Sequence, residues 1–229
     1  LLKKLNLSKV KSPRLNDWKR VVDAKLNPKK KVYIAIVGKY VDLKDSYKSL
    51  NEALDHAGIK NLAKVDITMI DAAKITKANV SKILKKYQAV LIPGGFGSRG
   101  IEGMITACKY ARENKLPYFG ICLGMQIAII EFSRNVLGLK NANSTEFNNK
   151  TKYPVIGLVT EWKDASGKIE HRTENSNLGG TMRLGGQKCL IKKSSLSYKL
   201  YKKLTITERH RHRYEVNPEF KKDLISGGM

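Results

Sequence analysis

The sequence predicts an α/β domain built on a doubly wound, mostly parallel sheet with flanking helices, and three observations carry that prediction. Short continuous apolar runs alternate with stretches of helical periodicity, the pattern of strands buried on both faces and joined by helical crossovers. Two of those runs pass directly into glycine-rich turns, Pro93-Gly-Gly-Phe-Gly97 and Gly120-Ile-Cys-Leu-Gly124, at the strand ends where such a sheet places its ligands. The 229 residues, 41% of them hydrophobic, suffice for one large core.

Residues 1–31 stand apart from that pattern. They are basic and weakly helical, with Leu15, Trp18, Val21 and Val22 as the apolar positions and Pro28 followed by a lysine triplet at the end. An interdomain linker with one short helix is expected there, preceded by another domain, and 32–229 as the folded domain. Val32 to Val37 is then the first buried strand, closed by Gly38. Asp45 or Ser46 is expected to cap a helix through Tyr47, Leu50, Leu54 and Ala57, with Gly58 ending it. Val65–Ile70 reads as the second strand, Asn79–Tyr87 as the second helix and Ala89–Ile92 as the third strand. Ile101–Asn114 reads as a helix leading into the strand Tyr118–Ile121, after which helical periodicity begins at once. Tyr153–Thr160 is a further strand, Trp162–Asn175 a polar hairpin, and Ser195–Lys203 a short helix. In Glu208-Arg-His-Arg-His-Arg-Tyr-Glu215 strand alternation would put Arg209, Arg211 and Arg213 on one face and His210 and His212 on the other.

Composition narrows the function classes. No run of about 18 apolar residues occurs, and Leu1–Val10 intersperses lysine with leucine, so neither a membrane span nor a secretory leader is expected. Cys108, Cys122 and Cys189 are odd in number and lack C-x-x-C spacing, which argues against a disulfide framework and a zinc site and for a reducing, cytoplasmic setting. The net charge of +24 invites a nucleic-acid reading, but the lysines lie in scattered pairs and triplets without a binding motif. A solvated lysine-rich surface explains them better.

The chemistry centres on Cys122. A cysteine between two glycines at a strand-to-helix turn projects at a helix N-terminus, where unpaired amides and the helix dipole favour a thiolate. A space-filling cysteine is the alternative, and the flanking glycines favour the nucleophile. The loop Pro93–Gly100 is neither a P-loop nor a dinucleotide fingerprint; it is an ordinary turn or, beside the elbow, an oxyanion hole of backbone amides. Glu146 reads alone as a surface acid or cap. The arginine strand suits carboxylate or phosphate binding, or a charged edge that blocks aggregation.

Five segments together, 93–97, 120–126, Asn141-Ala-Asn-Ser-Thr-Glu-Phe147, Leu178-Gly-Gly-Thr-Met-Arg-Leu-Gly185 and 208–215, resemble the glutamine amidotransferase domain of the CTP synthases over nearly the whole chain. The resemblance implies a class I amidotransferase-like, flavodoxin-like fold. It implies that Cys122 attacks the side-chain amide of L-glutamine to give a thioester and ammonia, with Gly95 and Leu123 donating the oxyanion amides. Gly95, Leu123, Gly124, Met125, Gln126, Glu146 and Arg213 would bind glutamine, Arg213 at its α-carboxylate and Glu146 at its α-amino group.

It further implies an N-terminal synthase domain on the same polypeptide, where ATP and Mg²⁺ act and UTP becomes CTP. GTP would be the activator, with His171-Arg172 and 178–185 as responsive or interface elements, and the whole enzyme would be a homotetramer. No cofactor is implied for this domain itself. The family's triad is completed by a histidine and a glutamate in a downstream His-Pro-Glu-Phe segment, which is not reached by Met229. A C-terminally incomplete domain is therefore expected, slow or inactive as given. A non-catalytic regulatory or assembly module and a nucleic-acid binder are the competing readings. Asn217-Pro-Glu-Phe220 is read as a helix start with Pro218 in its first turn, outside the triad.

Overall fold

The computed structural model describes residues 4–5, 7, 14–41, 44–158, 161–163, 169–171 and 182–229. Helix α1 (Asn16–Leu26) precedes strand β1 (Lys30–Gly38), then α2 (Lys48–Lys60), β2 (Ala63–Asp71), α3 (Val80–Leu84), β3 (Ala89–Ile92), α4 (Ile101–Glu113), β4 (Tyr118–Gly120) and α5 (Leu123–Asn135). Strands β1 to β4 form one parallel sheet in the order β2-β1-β3-β4. The chain steps outward from β1 to β2, then crosses back to β3, so the connections reverse direction between β1 and β3. Right-handed crossovers then put α2 on one face of the sheet and α3 and α4 on the other, and the C-terminal ends of β1 and β3 open a crevice between them. This is the doubly wound arrangement expected.

The core lies under α4 and α5. Val37, Leu84, Ile92, Met104, Leu123 and Ile127 are fully buried there, each contributing roughly 1.5–3 kcal/mol relative to an exposed side chain. Arg112 on α4 grips Glu131 on α5 through both carboxylate oxygens, at 2.8–3.2 Å, and Asn135 adds a third donor at 3.1 Å. Glu131 is only 1% exposed, so this pair bolts the two helices together at a site that tolerates no unpaired charge.

After α5 the architecture loosens. Strands β5 (Ala142–Ser144), β6 (Tyr153–Leu158) and later β11 (Tyr214–Val216) make a small mixed sheet in the order β11-β6-β5. Strands β7 (Glu161–Lys163) and β8 (Ile169–His171) pair antiparallel, as a hairpin should. Strand β9 (Arg183–Leu190), the short helix α6 (Leu196–Tyr201) and β10 (Thr205–His212) form a second antiparallel pair, and α7 (Lys221–Ser226) ends the description. Arg172 and residues 178–181 lie outside the described residues. Among the described residues no helix is long and apolar enough to cross a membrane.

Several local expectations are corrected. The helix after β1 opens as a 3-10 turn at Lys44–Tyr47; α2 starts only at Lys48 and its N-cap, Tyr47, makes no side-chain capping bond. Gly58 does not end α2, which continues to Lys60 with Gly58 buried inside it. Helix α3 covers five residues where nine were expected, stopping at Leu84, and Tyr87 is buried beyond it. Pro218 does open a short 3-10 turn, capped by Asn217 accepting from Glu219 N at 3.1 Å.

Candidate active site

Strand β4 and helix α5 meet in an elbow with almost no spare room. A Cβ on Gly120 would stand 2.4 Å from the Gly124 carbonyl oxygen, and one on Gly124 would stand 2.0 Å from the Ile92 carbonyl oxygen. Only glycine lets the helix start this close to two strands. Between them Cys122 takes φ +53° and ψ −104°, a strained conformation for a residue with a side chain, of the kind costing roughly 1–3 kcal/mol and concentrated at working sites. Ile121 N donates to Ile92 O at 2.9 Å, and Gln126 N to Cys122 O at 3.1 Å, which lock the turn from both sides. The Tyr118 hydroxyl donates to Gly124 O at 2.6 Å, tying the strand to the first helical turn.

The thiol does not behave as the helix terminus alone suggests. Cys122 is exposed as a residue, yet its surroundings raise the thiol above its ordinary value, chiefly by desolvation; the Leu123 N–H works in the opposite direction, and the nearby charge of Glu146 adds to the rise. The expected preference for thiolate is thus outweighed by desolvation. Sγ meets the Arg211 carbonyl oxygen at 4.0 Å.

The loop after β3 lies beside this turn. A Cβ on Gly94 would lie 3.6 Å from Cys122 Cβ, and one on Gly95 would lie 3.1 Å from Leu123 Cδ2. Glu146, just after β5, accepts from Gly97 N at 2.7 Å. The structure therefore brings Cys122, Leu123, Gly95 and Glu146 into one crevice. It also adds Lys39, which sequence reading missed although a lysine directly after the first buried strand sits at the sheet's ligand end. Lys39 is 5% exposed and donates from Nζ to Phe96 O at 2.8 Å and to Gly97 O. Desolvation lowers its pKa to about 8, opposed next by the Glu146 charge and aided least by Arg99.

The arginine strand is placed differently from the expectation. Strand β10 ends at His212 and β11 begins at Tyr214, so Arg213 occupies the bend between two sheets and does not continue the face of Arg209 and Arg211. Gln126 is buried, and its Nε2 donates to Tyr214 O at 2.8 Å, which ties α5 to the strand following Arg213. Met125 is half-exposed in the first turn of α5. The Tyr214 hydroxyl is raised by burial first and then by Glu146, while Arg213 lowers it, which sets this ring within electrostatic reach of both charges.

His210 and His212 have partners of their own. His210 Nε2 is 3.8 Å from Cys189 Sγ, the two imidazoles are 5.2 Å apart, and His212 Nε2 lies 3.4 Å from Glu215 Oε2. Arg183 donates to the same carboxylate at 3.3 Å. Among the described residues no group of three or more metal-ligating side chains is suited to hold an ion.

The crevice has the parts of an acyl-transfer site: a strained nucleophile, amides beside it, and charges of both signs. The family model described as glutamine amidotransferase class-I matches residues 42–227. Among solved structures, the Trypanosoma brucei CTPS glutaminase domain with bound acivicin is 38% identical, superposes with a TM-score of 0.74, and is matched over 86% of this chain and 72% of its own. The chain belongs to the class-I glutamine amidotransferases, among the glutaminase domains of the CTP synthase type.

Proposed function

We propose that this domain hydrolyses L-glutamine through a Cys122 thioester and supplies the ammonia for amination of UTP to CTP. The observation that carries the reading is the strained Cys122 backbone, φ +53°, with the Leu123 N–H at its sulfur and the glycine loop so near that a Cβ on Gly94 would lie 3.6 Å from Cys122 Cβ. Sulfur attacks the side-chain amide carbon; the carbonyl oxygen takes the negative charge and is met by the amides of Leu123 and Gly95. The C–N bond breaks as the nitrogen takes a proton and leaves as ammonia. Water then attacks the thioester, releasing glutamate and restoring the thiol. The raised thiol pKa means that Cys122 holds its proton at neutral pH until a base removes it. His210 and His212 are engaged with Cys189 and Glu215, and the resemblance to the CTP synthases implies a triad histidine as the base.

Arg213 at the bend and Glu146 at the loop suit the two charges of an amino-acid zwitterion, with Met125, Gln126 and Gly124 forming the floor. ATP and Mg²⁺ would act in a synthase domain of the same polypeptide, GTP would stimulate glutamine hydrolysis, and the assembly would be a cytoplasmic homotetramer. Treating the full-length protein with acivicin and mapping adducts by mass spectrometry tests the core of this. Modification of Cys122, suppressed by glutamine and absent at Cys108 and Cys189, is expected. An unmodified Cys122 would overturn the reading.

A further inference from the structure

Lys39 and Glu146 take hold of one and the same peptide group. The Phe96 carbonyl and the Gly97 N–H belong to a single peptide plane, and no peptide bond among the described residues is cis, so the two groups point in opposite directions. Lys39 Nζ donates to the carbonyl edge at 2.8 Å, and Glu146 Oε1 accepts from the N–H edge at 2.7 Å. Lys39 also reaches the next carbonyl, Gly97 O, while its stem passes 3.8 Å from the Cβ position of Gly95. We infer that Lys39 is a positioning residue: with Glu146 it fixes the orientation of the Phe96–Gly97 peptide and thereby holds the glycine loop with the Gly95 amide at Cys122.

The physical basis is the peptide dipole. Its oxygen end faces a cation and its N–H end an anion, and although Phe96 and Gly97 are exposed, Lys39 is buried, so the bonds that orient the peptide are charge-assisted and stronger than neutral ones. Rotating the peptide would turn the oxygen toward the carboxylate and the N–H toward the ammonium. Gly97, at φ +77°, has no side chain to resist that rotation, so the charges must. Lys39 is itself well seated. Its own N–H and that of Tyr40 donate to Tyr47 Oη at 3.4 Å each, and the Arg99 guanidinium donates to the Lys39 carbonyl. The groups facing its ammonium are Glu146 from the loop after β5, Arg99 from the turn before α4, and the Phe147 ring at 5.9 Å. Arg99 in turn lies 3.9 Å from Asp71 at the end of β2.

Because desolvation lowers the ammonium's pKa to about 8, the grip weakens within an accessible pH range. One oxygen of Glu146 is engaged by Gly97, which leaves the other for a substrate ammonium group; in this the inference rests on the glutaminase reading. The test uses the full-length protein as wild type, Lys39→Met and Lys39→Arg. Lys39→Met should lower kcat for glutamine hydrolysis at least tenfold with KM changed less than threefold. Lys39→Arg should retain most of the activity and move the alkaline fall in kcat, expected near pH 8 in wild type, to higher pH. Independently of turnover, the Gly97 amide-proton resonance should titrate with a midpoint near 8 in wild type and not in Lys39→Met. A Gly97 resonance flat across that range, or a Lys39→Met kcat within twofold of wild type, would overturn the inference. Wild-type protein that shows the Gly97 titration but no glutamine turnover would instead overturn the glutaminase reading and leave the peptide grip standing.

Discussion

The elbow and the β9–β10 ladder reach the same crevice by opposite means. At the elbow the backbone itself does the positioning: two glycines, a strand carbonyl and the helix start are packed so closely that Cys122 is forced to a positive φ. In the ladder the backbone is regular and open, with exposed and half-buried residues alternating from Arg183 to Leu190, and position depends on side-chain pairs such as His212–Glu215 and Arg183–Glu215. The nucleophile is therefore fixed by steric exclusion, and the end of β10 before the bend by exchangeable polar contacts. The first should fail abruptly under substitution and the second gradually with pH.

Adding one methyl group in each region gives the largest contrast. In Gly124→Ala the Cβ would sit 2.0 Å from a backbone oxygen of β3, a clash that side-chain repacking cannot relieve, so the loss should exceed the ~1–3 kcal/mol of ordinary overpacking. Gly186→Ala in β9 would meet only the Thr207 methyl, at 3.1 Å, which can shift. Urea unfolding should show a large drop in midpoint, or no folded protein, for the first and a near-normal midpoint for the second. Equal effects would break the distinction.

A smaller but still substantial loss should follow from removing the bolt behind the elbow. Arg112→Met leaves Glu131, 1% exposed, with Asn135 as its remaining side-chain donor. The cost is expected at about 3 kcal/mol, the low end for stranding a buried charge because Asn135 remains. Arg112→Met combined with Glu131→Leu should recover much of it, since two apolar side chains leave no charge to solvate. A double variant no more stable than Arg112→Met would show that the pair is not what joins α4 to α5.

How much of this was legible in the sequence follows the same division. The Ala89–Ile92 strand and the cysteine elbow could be read because local patterns specify them: a continuous apolar run, and glycines where a helix begins against a strand. The extent of α2 and α3 could not, because packing against the sheet overrides local stop signals; Gly58 is retained within α2 where it is buried against β2. Lys39 was passed over for a related reason. A lysine after a strand is ordinarily a solvated surface residue, and only the fold shows that this one is buried between the carbonyls of a loop 57 and 58 positions away. The placement of Arg213 escaped because alternation assumes one continuous strand, whereas here the chain passes from the β9–β10 ladder to the β11–β6 pairing at that residue.

The ladder's dependence on side-chain charge gives the mildest effect, read through pH. The Glu215 carboxyl is held below its ordinary value of 4.5, first by the His212 hydrogen bond and then by the Arg183 charge, with burial opposing. A carboxyl more acidic in the folded than in the unfolded chain adds stability that is complete above the unfolded value and lost as pH falls through the folded one. The neighbouring His210 is held below its ordinary 6.5, chiefly by burial and then by His212 and Arg183. Its protonation therefore opposes folding at a somewhat higher pH than the Glu215 loss. Wild-type protein should lose ladder stability in two shallow steps on acidification, the first below pH 6.5 and the second below pH 4.5. His210→Gln should remove the first step and Glu215→Gln the second, as followed by hydrogen exchange at the β9 and β10 amides. Exchange at Leu123 and Gly124 should stay unchanged through both steps, because the Tyr118 hydroxyl that holds the elbow's backbone is raised by burial and stays protonated in acid; parallel acid loosening of elbow and ladder would mean that the two regions are held by one network.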